Sequence, residues 1–370
     1  MKILIVSTLK RRIGPDIFAS RSRMIYQLAT GLSSKGHEVS LLGTADSVVP
    51  GVTVIPVTEK GWVDLPPVEN EFQREVATLI LQARKIRELQ DSFDVIHNHT
   101  YPDFFPGIID RDLKIPMVTT LHALYDYYME DVLAGAKHSY HIALSEGYRR
   151  LYKKVTFDAV VYNGIDTNAF SYQEKKSDYL LWLGRLPKAK NADGTFMDPK
   201  GIRWAIKLAQ KTGAKLKLYG VVEDKQFYET DVRPHLNDNI QWVGAVSPEQ
   251  SLAFDEVIKL MQHAKAFLMT INQQEPFGLV MAEALSSGTP VIAFDRGSVK
   301  EIVIDGKTGF TVDPADGLEG LVNAVKKLDT IKPADCRERA VTHFSIDAMI
   351  HNHEKLYKDL IRKHSDLHRS

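Results

Sequence analysis

Ala266-Phe-Leu-Met-Thr270, followed by Glu275-Pro-Phe-Gly-Leu-Val-Met-Ala-Glu283 and then Ala-Leu-Ser-Ser-Gly-Thr-Pro-Val-Ile-Ala-Phe294, is the stretch that decides how this chain is read. Ala266 to Thr270 is a short apolar run bounded by polar residues, the pattern of a buried strand. Leu279 to Ser287 predicts a helix, with Gly288 as its stop and Pro290 just beyond. Pro290 to Phe294 predicts the next buried strand. Glu275 then falls on a strand-to-helix turn, and Glu283 about one turn into the helix. The first N–H groups of a helix have no intrahelical partners and carry the positive end of its dipole. Such a turn is suited to an anion, for example a phosphate.

Either glutamate alone reads as an ordinary loop or surface charge. Together they are harder to explain that way, because a carboxylate directly before Pro-Phe-Gly at a helix mouth has no packing role. One carboxylate beside the anion and another a turn along suit a ligand with phosphate in its middle and hydroxyl-bearing rings at both ends, as in a nucleotide-sugar. The stretch resembles the Glu-x7-Glu signature of retaining glycosyltransferases of the family-4 type (glycosyl transferases group 1). The match runs from Glu275 to Gly309 and includes Gly288-Thr-Pro-Val-Ile-Ala293, Glu301 and Asp305-Gly306-Lys-Thr-Gly309. A looser pattern covers nearly the whole chain. The resemblance implies an α/β protein of GT-B fold, with two Rossmann-like doubly wound domains facing across a cleft. Residues 1–170 would be the acceptor side, 171–348 the nucleotide-sugar-binding domain, and 349–370 a terminal helix returning to the first domain.

Composition agrees with two domain-sized cores: 370 residues, 44% hydrophobic and 25% charged. Lysine plus arginine number 47 and aspartate plus glutamate 47, so the charge balance makes no case for nucleic acid. A single cysteine, Cys336, excludes an internal disulfide framework and suits a reducing compartment. The apolar run at Met1-Lys-Ile-Leu-Ile-Val6 is too short for a signal peptide. Nothing approaches the roughly 20 apolar residues of a membrane span. The expectation is a cytoplasmic protein, with peripheral membrane contact left open.

From the N-terminus, Lys2 to Ser7 predicts a buried strand, Ala19 to Ser34 an amphipathic helix with Ile25, Leu28, Ala29 and Leu32 on one stripe, and Glu38 to Leu42 the next strand. This β-α-β order predicts a parallel sheet. The first turn has only Gly14, against the three spaced glycines of a dinucleotide fingerprint, which argues against a nicotinamide oxidoreductase. Further strands are predicted at Val52 to Val57, Asp94 to Ile96, Met117 to Leu121, Ile142 to Leu144 and Ala159 to Tyr162, with a long helix over Glu69 to Asp91. His99, His122, Ser145 and Asn163 fall at carboxyl ends of strands, where ligands gather in open parallel sheets.

The linker is read at Tyr172 to Asp178. Beyond it, strands are predicted at Tyr179 to Leu183, ending in Gly184-Arg185, at Leu216 to Tyr219, ending in Gly220, and at Ile240 to Val243 and Phe310 to Val312. Residues 187–200 read as a long polar loop. Helices are predicted over Gly201 to Thr212, Pro248 to Gln262, Leu318 to Leu328, Arg337 to His343 and Met349 to Lys363. Two such domains would form a cleft between them, a usual place for a small-molecule site.

The chemistry of sugar transfer from a nucleotide donor leaves negative charge on the departing diphosphate, which positioned donors and cations must stabilise. By resemblance, Arg185 and Lys200 contact the diphosphate. Lys188 and Lys190, in the same loop, compete for the second role, and Lys200 is preferred because Lys200-Gly201 opens a helix. The resemblance gives Glu275 the hydroxyls of the donor sugar and Glu283 those of the ribose, with Glu275 as a covalent nucleophile the less favoured alternative. The N–H groups of Phe277, Gly278 and Leu279 would meet the distal phosphate or the sugar, Gly278 allowing close backbone approach. His122, in Thr119-Thr-Leu-His-Ala123, resembles the family's cleft histidine near the anomeric centre. No metal is expected from His97, His99 and His122, since no Cys or carboxylate cluster has ligand spacing, and no cofactor is required. Lys10, Arg11 and Arg12, with Arg21 and Arg23 nearby, form a basic loop. It reads as a solvated face or as the site of an acidic acceptor or anionic membrane surface. Gly14 stands where the family often has paired glycines contacting donor phosphate or acceptor.

The expectation is thus a retaining glycosyltransferase moving a sugar from a UDP-sugar, or a GDP-sugar, to the hydroxyl of an acceptor. A GT-B-shaped sugar epimerase or phosphorylase, and a non-catalytic nucleotide-sugar-binding protein, are the competing readings.

Overall fold

The computed structural model describes residues 1–17, 19–125, 127–244, 246 and 254–367. The chain forms two compact units, one made of Met1–Gly164 with Ile346–Ser370 and the other of Ile165–Ser345. Both changes of unit fall a few residues earlier than the boundaries expected after residues 170 and 348. Ile165 forms a parallel bridge with Ser345 inside the second unit, while the Gly164 N–H meets Met349 Sδ inside the first.

The first unit is a seven-stranded parallel sheet built from β1 (Lys2–Val6), β2 (Glu38–Thr44), β3 (Thr53–Thr58), β4 (Val95–Asn98), β5 (Met117–Thr120), β6 (Tyr140–Ala143) and β7 (Ala159–Val160), in the order β3-β2-β1-β4-β5-β6-β7. Its central strands are continuous apolar runs because helices cover both faces. The helices are α1 (Ser20–Ser34), α2 (Glu71–Leu89), α3 (Tyr127–Gly135) and the single turn α4 (Glu146–Arg149). Ile3 and Ile5 pack with Met24, Ile25 and Leu28 of α1 on one face. Leu4, Val6 and Ile96 pack with Ile86 of α2 on the other. The alternation of sides along β1 follows directly from strand geometry.

The second unit is a six-stranded parallel sheet of β8 (Leu180–Leu186), β9 (Leu216–Val222), β10 (Ile240–Trp242), β11 (Ala266–Met269), β12 (Val291–Phe294) and β13 (Gly309–Val312), ordered β10-β9-β8-β11-β12-β13. Its helices are α5 (Ile202–Thr212), α6 (Lys225–Phe227), α7 (Phe254–His263), α8 (Leu279–Ser286), α9 (Val299–Ile302), α10 (Gly317–Lys326) and α11 (Pro333–Phe344). Of the helix expected over Pro248 to Gln262, residues 248–253 lie outside the described residues, and the remainder is α7.

Two strands run on past their expected ends. Gly184 and Gly220 face each other across β8 and β9, and a Cβ on Gly220 would strike the Gly184 carbonyl oxygen. The glycines mark a close backbone approach, not a stop. The pairing continues to Leu186 and Val222, both buried. Arg185 is therefore inside a strand and not at its end.

Residues 187–200 are not a featureless loop. Lys190 and Phe196 pair as an antiparallel bridge, Phe196 is buried and stacks on Phe227 with centroids 5.0 Å apart, and Arg203 Nη1 donates to the Phe196 carbonyl. One apolar side chain in a polar run anchors the middle of the excursion.

The last helix, α12 (Ile346–Leu367), belongs to the first unit. Met349, Ile350, Tyr357 and Leu360 enter the core that α1 also lines. Gly31 of α1 has no room for a side chain because Ile350 occupies the space.

Candidate functional site

The strand-to-helix turn after β11 is held from two directions. On one side the chain from Asp198 to Gly201 is laced to the segment after β11. Asn272 N–H donates to the Pro199 carbonyl at 3.0 Å, Asn272 Nδ2 to the Asp198 carbonyl at 2.6 Å, and Thr270 Oγ1 to the Gly201 carbonyl at 2.7 Å. Gly201 has φ +70°, and a Cβ there would run into the Thr270 carbonyl oxygen. Asp198 accepts the first N–H groups of α5, from Ile202 and Arg203, each at 3.0 Å. Burial pushes its carboxyl pKa up, and those N–H groups oppose the shift.

On the other side is the loop from Asp295 to Ser298. Ser298 N–H donates to the Glu275 carbonyl at 3.0 Å, and Ser298 Oγ donates to the Phe277 carbonyl at 2.7 Å. Gly297, at φ +63°, lies against the Glu275 backbone, where a Cβ would collide.

This lacing brings Lys200 and Glu275 together. Lys200 Nζ lies 3.1 Å from Glu275 Oε2, with the side chains 24% and 13% exposed. The Lys200 stem sits over Gly184, and its carbonyl accepts from Trp182 Nε1 at 3.0 Å. Gly278 is the residue before α8, in the left-handed region at φ +81°, and no side chain caps the helix. Phe277 is buried and packs edge-on to Phe344. Leu279 opens the helix, and Glu283 lies one turn on at 4% exposure, so its carboxylate is not on a solvated face. The uncapped helix start thus has a paired lysine and carboxylate beside it, and a second, buried carboxylate one turn along the helix. That arrangement can hold a ligand carrying both phosphate and hydroxyls.

Arg185 is not gathered into this group. It is 66% exposed, and its Nη1 pairs with Glu223 at 3.1 Å. Of the competing lysines, Lys190 lies over the Phe196 ring at 4.4 Å and Lys188 is exposed. Glu301 lies in α9. The Asp305 to Gly309 motif is a structural turn. Asp305 Oδ1 accepts the Thr311 N–H at 2.9 Å, and a Cβ on Gly309 would strike the Val291 carbonyl.

In the first unit a histidine cluster gathers at the carboxyl ends of β4 and β5. His97 bonds Tyr357 OH through Nδ1 and Thr120 Oγ1 through Nε2. His99 Nδ1 lies 3.0 Å from His122 Nε2. The buried Asp103 accepts the His122 peptide N–H at 2.8 Å and pairs with Arg21 at 2.6 Å. Burial is the first cause that holds His97, His99 and His122 well below the usual histidine pKa. Neighbouring histidines, and Arg21 in the case of His99 and His122, add to it. All three are neutral at pH 7. His97 is committed to two hydroxyls and His99 to His122, and the His97 and His99 rings touch with centroids 3.9 Å apart. Among the described residues no group of three or more His, Cys, Asp or Glu side chains could hold a metal ion.

The basic loop is less concerted than its composition suggests. Lys10 lies over the Tyr101 ring at 5.6 Å, Arg12 pairs with Asp16, and Arg11 is exposed. Gly14 sits beneath the Arg12 guanidinium, which a Cβ there would meet at 2.6 Å. Asp103, Asp198, Gly297 and Ser298 were not singled out in the sequence. Their work is to fix backbone. Asp198 does so locally, four and five residues ahead of the N–H groups it accepts, while Asp103, Gly297 and Ser298 act on partners distant in sequence, which no local pattern signals.

Comparison with known proteins follows the same division. Residues 165–342 match the family model described as Glycosyl transferases group 1, and residues 22–169 that of Glycosyltransferase Family 4. A glycogen synthase of Mycobacterium tuberculosis is 25% identical over 392 residues, spanning 92% of this chain and 89% of its own. A phosphatidyl-myo-inositol mannosyltransferase of Mycolicibacterium smegmatis is 26% identical over 340 residues, 83% of this chain and 81% of its own. Among solved structures, a sucrose-phosphate synthase from Thermosynechococcus elongatus superposes with a TM-score of 0.73 at 19% identity, covering 98% of this chain and 100% of that one. HepE from Anabaena, solved with UDP and glucose, gives 0.71 at 17% identity, covering 97% and 100%.

Proposed function

The chain belongs to the glycosyltransferases, with the GT-B fold, and on that footing we propose that it moves a sugar, with retention of configuration, from a nucleoside diphosphate sugar to an acceptor hydroxyl. A UDP-sugar is favoured as donor over a GDP-sugar, and no cofactor is called for. The observation that carries the reading is the Lys200–Glu275 pair at the uncapped mouth of α8.

In this proposal the distal phosphate lies against the N–H groups of Phe277, Gly278 and Leu279. Lys200 turns from Glu275 toward the diphosphate as charge develops there, and the exposed Arg185 exchanges Glu223 for the same phosphates. Glu275, relieved of its lysine, takes hydroxyls of the donor sugar, and Glu283 takes those of the ribose. The anomeric C–O bond breaks, a bond to the acceptor oxygen forms on the same face, and the acceptor proton passes to the leaving diphosphate. A two-carboxylate pair of the glycoside hydrolase kind is then unnecessary. The exposed Arg11 and Lys10 suit an acceptor bearing phosphate or carboxylate. Lone Cys336, buried and with its thiol pushed up to about 12 chiefly by desolvation, suits a reducing compartment, and we place the protein in the cytoplasm. No described helix is long and apolar enough to cross a membrane.

The test is product analysis with UDP- and GDP-sugars and a panel of acceptor extracts. Wild type should release nucleoside diphosphate and form a glycoside, and Glu275→Ala should do neither. A donor that binds but is neither hydrolysed nor transferred would leave a binding protein, and an epimerised sugar would replace transfer with isomerisation.

A further inference from the structure

His99 is fully buried at the end of β4, and its Nε2 has no hydrogen-bond partner. Its Nδ1 is engaged with His122 Nε2 at 3.0 Å. One proton lies on that bond, and its owner fixes both tautomers. If His122 were the donor, His99 would carry its own proton on Nε2, as a buried N–H with no acceptor. Among buried backbone groups an orphaned N–H is rarer than an under-used acceptor, and we extend that preference to the His99 ring. The arrangement that avoids one has His99 donating from Nδ1 and keeping a bare Nε2. His122 Nε2 is then the acceptor, and the His122 proton sits on Nδ1. That Nδ1 makes no hydrogen bond among the described residues, and His122 is half-buried.

We propose that His99 is a positioning residue that locks His122 in the Nδ1–H tautomer, so that His122 presents a neutral hydrogen-bond donor to an oxygen of the bound substrate. The proposal rests on the transferase reading for the substrate's identity but not for the tautomer. The ring is also held at its base, where Asp103 takes the His122 peptide N–H and is itself anchored by Arg21. The Asp103 N–H donates to Tyr125 OH at 3.0 Å, which ties the β4 loop to the loop after β5. Position and proton are therefore set by different residues. Asp103 fixes where His122 sits, and His99 fixes which nitrogen carries hydrogen.

The substitutions follow from shape. An asparagine amide nitrogen can stand where the His99 Nδ1 stands and still donate, whereas leucine fills the space and donates nothing. The experiment has two readouts on the full chain. The first is the 15N spectrum of the histidine side chains without substrate, with His122 assigned by His122→Gln. Wild type and His99→Asn should show His122 protonated at Nδ1, and His99→Leu should shift His122 toward the Nε2–H form. The second is steady-state transfer. His99→Leu should lower kcat at least ten-fold with little change in the donor KM, and His99→Asn should recover most of it. An Nε2–H signal for His122 in wild type would overturn the proposal. So would equal kcat losses in His99→Asn and His99→Leu, which would mark a packing role only. If no nucleotide-sugar is turned over at all, the transferase reading fails, and the 15N spectrum alone decides the tautomer.

Discussion

Among single residues, Lys200 and Glu275 decide what the turn after β11 can hold. Lys200→Ala should lower kcat/KM by about 10²- to 10³-fold, as removal of one positioned charge-stabilising group commonly does. Its fold and circular dichroism should be unchanged, because Lys200 meets Gly184 and Trp182 through its Cβ and carbonyl, which alanine keeps. An equal loss of thermal stability would show the lysine to be structural. The sequence led to both residues, since a carboxylate before Pro-Phe-Gly and a lysine before a helix-opening glycine are local patterns. It could not show that they meet, because the contact depends on Asn272 and Thr270 gripping the chain from Asp198 to Gly201. The strand-end position expected for Arg185 differs for a related reason. Gly184-Arg185 looks like the end of a strand, yet Gly184 faces Gly220 and the ladder runs on.

Among the elements, the placement of Lys200 depends on one backbone crossing. Gly201→Ala would put a methyl group into the Thr270 carbonyl at a backbone angle that L residues seldom adopt. Thermal or urea unfolding should show a loss of about 2 to 4 kcal/mol, and donor affinity should fall with it. A stability within about 0.5 kcal/mol of wild type would mean that this crossing does not hold the loop. On α12, Ile350→Ala should cost about 2 to 4 kcal/mol, because Ile350 fills the notch left by Gly31 of α1, and urea unfolding measures it. Strands with continuous apolar runs and the long amphipathic helices were legible at this scale. The excursion at residues 187–200 was not, because its anchors, the Phe196 ring and the Asn272 hydrogen bonds to Asp198 and Pro199, make no periodic pattern. The short turns α4 and α9 have too few residues to show a period.

At the scale of the whole molecule, the alternation of strands and helices in each half made two parallel sheets readable before any coordinates. His97, His99 and His122 could be weighed together from the sequence, but His353 could not, since it reaches His97 only when α12 joins the first unit. Their folded pKa values lie below the ordinary value, that of His353 at about 4, and burial is the main cause. As pH falls through about 6.5, the unfolded chain takes up protons that the folded chain refuses. Stability is therefore full above that pH and is lost below it, by up to about 1.4 kcal/mol per histidine per pH unit. Calorimetric melts from about pH 7.5 to about pH 5 should show the first unit failing first, and Phe substituted at His353 should soften the slope. A melting profile flat across that range would contradict these burials. The central claim is that the mouth of α8 binds a nucleoside diphosphate sugar. Its most direct test is a thermal-shift panel of UDP, GDP, ADP and their sugars on wild type and Lys200→Ala, since a ligand of the folded state alone raises its stability by mass action. One base series should stabilise wild type, with most of the shift lost in Lys200→Ala; no shift with any nucleotide, or an undiminished shift in the variant, would contradict binding at the mouth of α8.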